Sequence, residues 1–144
     1  MSATHQRILA FDFGLRRIGI ASGNLLLRTA SPVTTLTAQG NEPPWREIEA
    51  LLNEWKPDLI VVGDPGLGSD TTLQDGLKVF NEGLAERFSG PIEAVDESHS
   101  STAAAEHLRA ARSAGLYNRR LNKKQIDSQA ACLIAEQWMN QSLD

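Results

Sequence analysis

Leu59-Ile60-Val61-Val62-Gly63 is an unbroken apolar run between two prolines, Pro57 and Pro65. A strand that alternates apolar and polar residues has one wet face, whereas a strand apolar at every position must be covered on both. The run is too short for a buried helix, and the prolines stop it on either side. Such a strand belongs in the middle of a sheet with helices packed above and below.

The rest of the chain can supply that sheet and those helices. Arg7–Phe13 is mostly apolar, with Asp12 interrupting near its end, and reads as a strand; Gly14 offers a tight turn. Arg17–Ser22 and Ser31–Leu36 read as a second and a third strand, and the short connections imply antiparallel hairpins. Trp45, Ile48, Leu51, Leu52 and Trp55 recur at helical spacing over Pro43–Trp55, with prolines at the start. Gly66–Asp75 has the polar, glycine-bearing composition of a loop. Leu77, Phe80, Leu84 and Phe88 then give a helical stripe through 72–89, with Thr71 and Thr72 as candidate caps. Pro91–Val95 is a short strand ending at Asp96-Glu97, and Ser101–Ala114 is alanine-rich and helical. Asn122 with Gln125 fits the cap of a last helix reaching about Asn140. The order β-β-β-α-β-α-β-α-α predicts an α/β fold, a mixed sheet with helices on both faces. Trp45, Trp55 and Trp138 lie on apolar helical faces and are expected in the core.

With 144 residues and no dividing linker, one domain over 1–144 is expected, its core about 7–140. No apolar run reaches the length of a membrane span and no secretory signal opens the chain, so no membrane is expected. The single cysteine, Cys132, excludes an internal disulfide and a multi-cysteine zinc site, and a reducing cytoplasm is the default. The net charge of −4 hides an uneven distribution. Residues 1–41 hold four arginines and one acid, residues 42–106 hold 14 acids against four bases, and residues 107–126 hold six bases and no acid. The last segment reads either as a solvated basic loop or as a surface for phosphates.

Three places put carboxylates where they need a purpose. Asp12 interrupts an apolar strand, and an unpaired buried carboxylate is costly. Asp96 and Glu97 end another strand. Asp127 lies in the second turn of the last helix and shares the i, i+3, i+4, i+7 face of Ala130, Ala131 and Ile134. Each acid has a structural alternative: Asp12 with Arg16 or Arg17, Glu97 as a helix cap, Asp127 with Lys123. Converging, they would repel one another unless a cation joined them. Hard divalent ions take such oxygen ligands, and paired ions serve phosphodiester hydrolysis. Asp64 is a further acid whose place before Pro65 fits turn chemistry equally well.

Asp12-Phe13-Gly14 followed by Arg16-Arg17-Ile18-Gly19-Ile20-Ala21 resembles the N-terminal motif of the YqgF family. The likeness continues through Ala30-Ser31-Pro32, Ile60–Pro65, Asp96-Glu97 with Ser100-Ser101, and Lys123-Lys124 with Asp127, Ala130 and Ala131. It covers about residues 7–140. These are RuvC-like proteins of the RNase H fold, described as pre-16S rRNA nucleases and as Holliday junction resolvases. The resemblance implies an RNase H-like fold with Asp12, Glu97 and Asp127 as catalytic ligands of Mg²⁺ or Mn²⁺. It implies metal-dependent cleavage of structured nucleic acid, pre-rRNA or branched DNA, with the 5′ end of 16S rRNA in the small-subunit precursor favoured. Gly14, Arg16, Arg17, Arg119, Arg120, Lys123 and Lys124 are the expected nucleic-acid contacts. The chain would act as a monomer or homodimer in the cytoplasm. A four-way-junction resolvase and a non-catalytic ribosome-assembly protein are the alternatives. The chain departs from the family pattern at Asp96-Glu97-Ser98, where Asp-Glu-Arg is usual, and at His99, where an apolar residue is common.

Overall fold

A computed structural model describes residues 7–38, 42–64, 71–96 and 123–141, with the side chains of the last segment described from 128 to 140. The five strands are β1 (Arg7–Phe13), β2 (Arg17–Asn24), β3 (Thr29–Thr37), β4 (Leu59–Asp64) and β5 (Ile92–Asp96). The helices are α1 (Trp45–Trp55), α2 (Thr71–Arg87) and α3 (Lys123–Gln141). The strands form one sheet in the order β3-β2-β1-β4-β5. β1 is antiparallel to β2 and parallel to β4, and β4 is parallel to β5.

The apolar run at Leu59–Gly63 is indeed an interior strand, buried from Leu59 through Gly63. Period-two alternation divides its side chains between two layers. Leu9, Phe11, Ile18, Ile20, Ile60 and Val62 meet Ile48, Leu52, Leu77, Phe80 and Leu84 of α1 and α2. On the other face Ile8, Ala10, Leu59, Val61 and Val95 meet Ile134, Ala135 and Met139 of α3. Phe80 anchors the first layer: Phe11 meets it edge-on at 5.6 Å, and Trp45 stacks on it at 5.6 Å. A Cβ at Gly83 would stand 2.2 Å from the Trp45 ring, which accounts for a glycine inside a helix. Arg87 covers that ring at 4.2 Å and donates from Nε to Glu49 at 2.9 Å, joining α2 to α1.

The α3 layer is built from small residues. Ala21, Ala131 and Cys132 form one contact, and Gly23 would place a Cβ 3.6 Å from that of Ala135. Small side chains on both partners bring the helix axis close to β2.

Several boundaries differ from the sequence expectation. β2 and β3 extend to Asn24 and from Thr29 because the hairpin pairs fully, Asn24 opposite Thr29. Val33 is the extra residue where Ile20 faces Thr34 but Ala21 faces Pro32. The bulge stands beside a proline that cannot donate to the ladder, as suits an edge strand. α2 begins at Thr71, one residue ahead of the expected helix over 72–89, so Thr71 and Thr72 are helical residues instead of caps and the loop composition of Gly66–Asp75 gives way to helix from 71 on. Trp55 is 36% exposed, contrary to a core assignment: it is the last residue of α1, beyond the buried pair Ile48 and Leu52. Phe88 lies one residue past α2 yet still packs on the core, its N–H donating to the Leu84 carbonyl at 2.8 Å. The expected helix Ser101–Ala114 and the cap at Asn122 lie outside the described residues.

Candidate active site

Asp12 is half-buried on β1, the central strand. Phe11 and Phe13 pack toward α1 and α2, so alternation turns Asp12 to the α3 face, in line with Ile8 and Ala10. Its neighbour across the sheet on β2 is a glycine, and the β4 register points to another. Asp12 pairs directly with Gly19 on β2. On β4 the register Phe11 to Val62 leads, one step on, to Gly63. The two positions that would crowd the carboxylate therefore carry no side chain. Sequence reasoning missed this, because Gly63 becomes a neighbour of Asp12 only through the parallel β1–β4 register.

The other acids at this end of the sheet divide by face. Asp64 and Asp96 are opposite each other in the β4–β5 register. Asp64 alternates with Ile60 and Val62, and Asp96 with Ile92, so both belong to the α1–α2 face. Val95, two residues before Glu97, packs in the α3 layer. Glu97 itself lies outside the described residues. Asp127 belongs to α3, one helical turn before the buried Ala131, and its side chain is outside the described set. Gln137 of α3 donates from Nε2 to the Asp96 carbonyl at 3.0 Å, tying the end of β5 to this helix. Among the described residues no group of three or more His, Cys, Asp or Glu is placed to hold a metal.

The turn after Asp12 is tightly constrained. A Cβ on Gly14 would stand 2.6 Å from the Arg17 carbonyl oxygen, so the β1–β2 hairpin itself requires glycine there. Arg16 is exposed at the tip, and its carbonyl accepts from Ala38 N–H at 2.8 Å. Arg17 is half-buried at the start of β2. Lys123 and Lys124 open α3, with side chains outside the described set, and Arg119 and Arg120 lie outside it altogether. Cys132 is buried between the sheet and α3, and burial with Glu136 nearby pushes its thiol up to about 11. It stays protonated at neutral pH and is no nucleophile.

A mixed five-strand sheet between helices, with an acid on its central strand beneath the closing helix, is the RNase H-like fold of the RuvC resolvases. Thermus thermophilus RuvC in complex with Holliday junction substrate superposes with a TM-score of 0.60 at 15% identity, covering 96% of each chain. The Fowlpox virus resolvase with its Holliday junction DNA also gives 0.60, at 14% identity, covering 96% of this chain and 99% of that one. The RuvX family profile, described as "Holliday junction resolvase", matches residues 6–141, and the chain belongs to that family. A relative from Legionella pneumophila strain Paris, named "Putative pre-16S rRNA nuclease", is 39% identical over 93% of this chain and 95% of its own length. One of the same name from Chromohalobacter salexigens is 43% identical over 96% and 93%.

Proposed function

We propose that this chain is a metal-dependent nuclease that cleaves phosphodiester bonds in structured RNA, with the 5′ end of pre-16S rRNA as its substrate. The observation that carries the reading is Asp12, a half-buried carboxylate between Gly19 and Gly63, on the face covered by the helix that bears Asp127. Asp12, Glu97 and Asp127 are the residues that would hold Mg²⁺ or Mn²⁺. Their all-oxygen donor set suits a hard cation, and the glycines beside Asp12 leave space for one. Such ions, when bound, activate water and stabilise the leaving oxygen. Arg16 and Arg17, on the turn after Asp12, hold the phosphate backbone, and Arg119, Arg120, Lys123 and Lys124 extend that contact. Gly14 lets the hairpin bend sharply enough to present Arg16 at its tip. The chain is then one domain acting in the cytoplasm, where its RNA is found. No described helix is long and apolar enough to cross a membrane.

The RuvX family description favours a second substrate, the four-way DNA junction. Purified protein offered pre-16S leader RNA and a junction side by side separates the two. Cleavage of the RNA with Mg²⁺ or Mn²⁺, abolished by chelator and reduced at least about 100-fold by Asp12→Asn, is the expected result. Junction cleavage alone would transfer the reading to a resolvase. Binding without cutting in every condition would leave an assembly protein.

A further inference from the structure

The α1–α2 face of the sheet is not apolar throughout. Along β2 its side chains run Ile18, Ile20, Ser22 and Asn24, apolar first and then polar. Ser22 stands opposite Ser31, and Asn24 stands between Arg7 on β1 and Thr29 on β3. Residues directly opposite share a face, so these polar side chains form two adjoining rows. The end of α1 meets them: Glu54, the 36% exposed Trp55 and Pro57 line one cavity with both rows. Its volume of about 360 Å³ suits a small ligand, whose sites begin near roughly 300 Å³. Arg7 lies five residues before Asp12 on β1, roughly 17 Å away, and alternation puts it on the opposite face. The cavity is therefore separate from the site at Asp12.

We propose that this cavity binds a guanine nucleotide, free or as an unpaired residue of an RNA strand. Among the described residues its lining holds one carboxylate, Glu54, and one cation, Arg7. The Glu54 side is rich in acceptors, because the last carbonyls of α1, the negative end of its dipole, stand there too. A ring edge with adjacent N–H donors fits that side. Guanine carries N1–H beside its 2-amino group, a pair that matches the two oxygens of a carboxylate. Adenine has an acceptor at N1, which a carboxylate repels, and neither pyrimidine offers such a pair. The Trp55 indole supplies a surface on which a base can stack. Arg7 matches the phosphate. Its backbone is fixed, its N–H donating to Asp58 Oδ2 at 3.0 Å and its carbonyl accepting from Asp58 N–H at 2.8 Å, which fastens β1 to the segment leaving α1. Ser22, Thr29 and Ser31 offer hydroxyls to the sugar. Asn24 Oδ1 already accepts from Leu27 N–H at 3.0 Å, which leaves the Asn24 NH2 to donate to a ligand. None of this depends on the chemistry at Asp12.

Calorimetry and tryptophan fluorescence, with GMP, AMP and guanosine titrated into metal-free protein, test it. GMP is expected to bind at least about tenfold more tightly than AMP and to quench the fluorescence. Trp55→Ala should raise its dissociation constant by about tenfold or more. Glu54→Ala should abolish the difference between GMP and AMP, and Arg7→Ala the difference between GMP and guanosine. These side chains are exposed and both Arg7 bonds are made by backbone, so unchanged circular dichroism and thermal midpoint verify that the variants fold. A short single strand with one guanosine, offered to Asp12→Asn protein so that it stays intact, separates the two sources. GMP binding marks a free ligand, and Trp55-dependent binding of the strand alone marks a base of RNA. Neither ligand bound below about 1 mM overturns the proposal. AMP binding equal to GMP overturns it, as does binding that Trp55→Ala and Glu54→Ala leave unchanged.

Discussion

Asp12 and Gly14 show how much a single position is asked to do. Asp12 retains access to solvent because alternation turns it from the phenylalanines on either side and because both lateral neighbours are glycine. Gly14 serves the hairpin: its missing Cβ would collide with backbone, and backbone cannot swing aside as a flexible side chain can. Gly14→Ala is therefore expected to lower stability by roughly 1–3 kcal/mol in urea unfolding, whatever its effect on nucleic acid. Cys132 provides a test by pH. Its thiol is raised from 9.0 to about 11, so the folded state favours the protonated form. The unfolded chain ionises first, and the stabilisation is fully present below about pH 9 and lost as pH rises through 11. Cys132→Ala should flatten that alkaline loss, measured as unfolding midpoint against pH. At pH 7.5, iodoacetamide should label the wild-type thiol only in denaturant.

Among the elements, α3 depends most on its partner. The opposing small residues Ala21, Gly23, Ala131 and Ala135 draw the helix onto the sheet, and the Gln137 bond carries that contact to the end of β5. The residue a turn after Asp127, Ala131, thus has a packing reason: its small side chain sets how near the helix comes to the sheet. α1 ends differently. Lys56 closes it in the left-handed region, φ 47° and ψ 60°, with its N–H donating to the Leu52 carbonyl at 2.9 Å. A side chain is disfavoured in that conformation and glycine is not. Lys56→Gly should raise stability by about 0.5–1 kcal/mol, read as a higher urea midpoint with unchanged slope.

For the whole molecule, the sheet divides its acids between two faces. The α3 face carries Asp12, and the α1–α2 face carries Asp64, Asp96 and the acidic helices. A divalent ion held at the proposed site binds only the folded chain and so must stabilise it. At about 100 times its dissociation constant the gain is about 2.7 kcal/mol, a rise of several degrees in thermal midpoint. Mg²⁺ or Mn²⁺ should produce that rise in wild-type protein and not in Asp12→Asn. An equal rise in both would remove Asp12 from the metal site.

Much of this architecture is legible in the sequence. The run at Leu59–Gly63, the helical stripes over Trp45–Leu52 and Leu77–Leu84, and the β1 span follow from local periodicity, which needs no knowledge of neighbours. The cost of a carboxylate in an apolar strand marks Asp12, and the family motifs at both ends of the chain imply the RNase H-like fold. Trp55 is the departure: helical spacing places it on the apolar stripe, but which end of a helix overhangs the core depends on the elements around it. The same reason kept the faces hidden: Asp64, Asp96 and Asp12 all read as acids at strand ends. Only the packing of α3 on one face and of α1 and α2 on the other gives alternation its direction, Asp12 one way and the other two the opposite way, and only the register of β1 sets glycine beside the first. Periodicity is a property of a segment and is written in its residues; register and facing are properties of pairs far apart in the chain, decided when the segments pack.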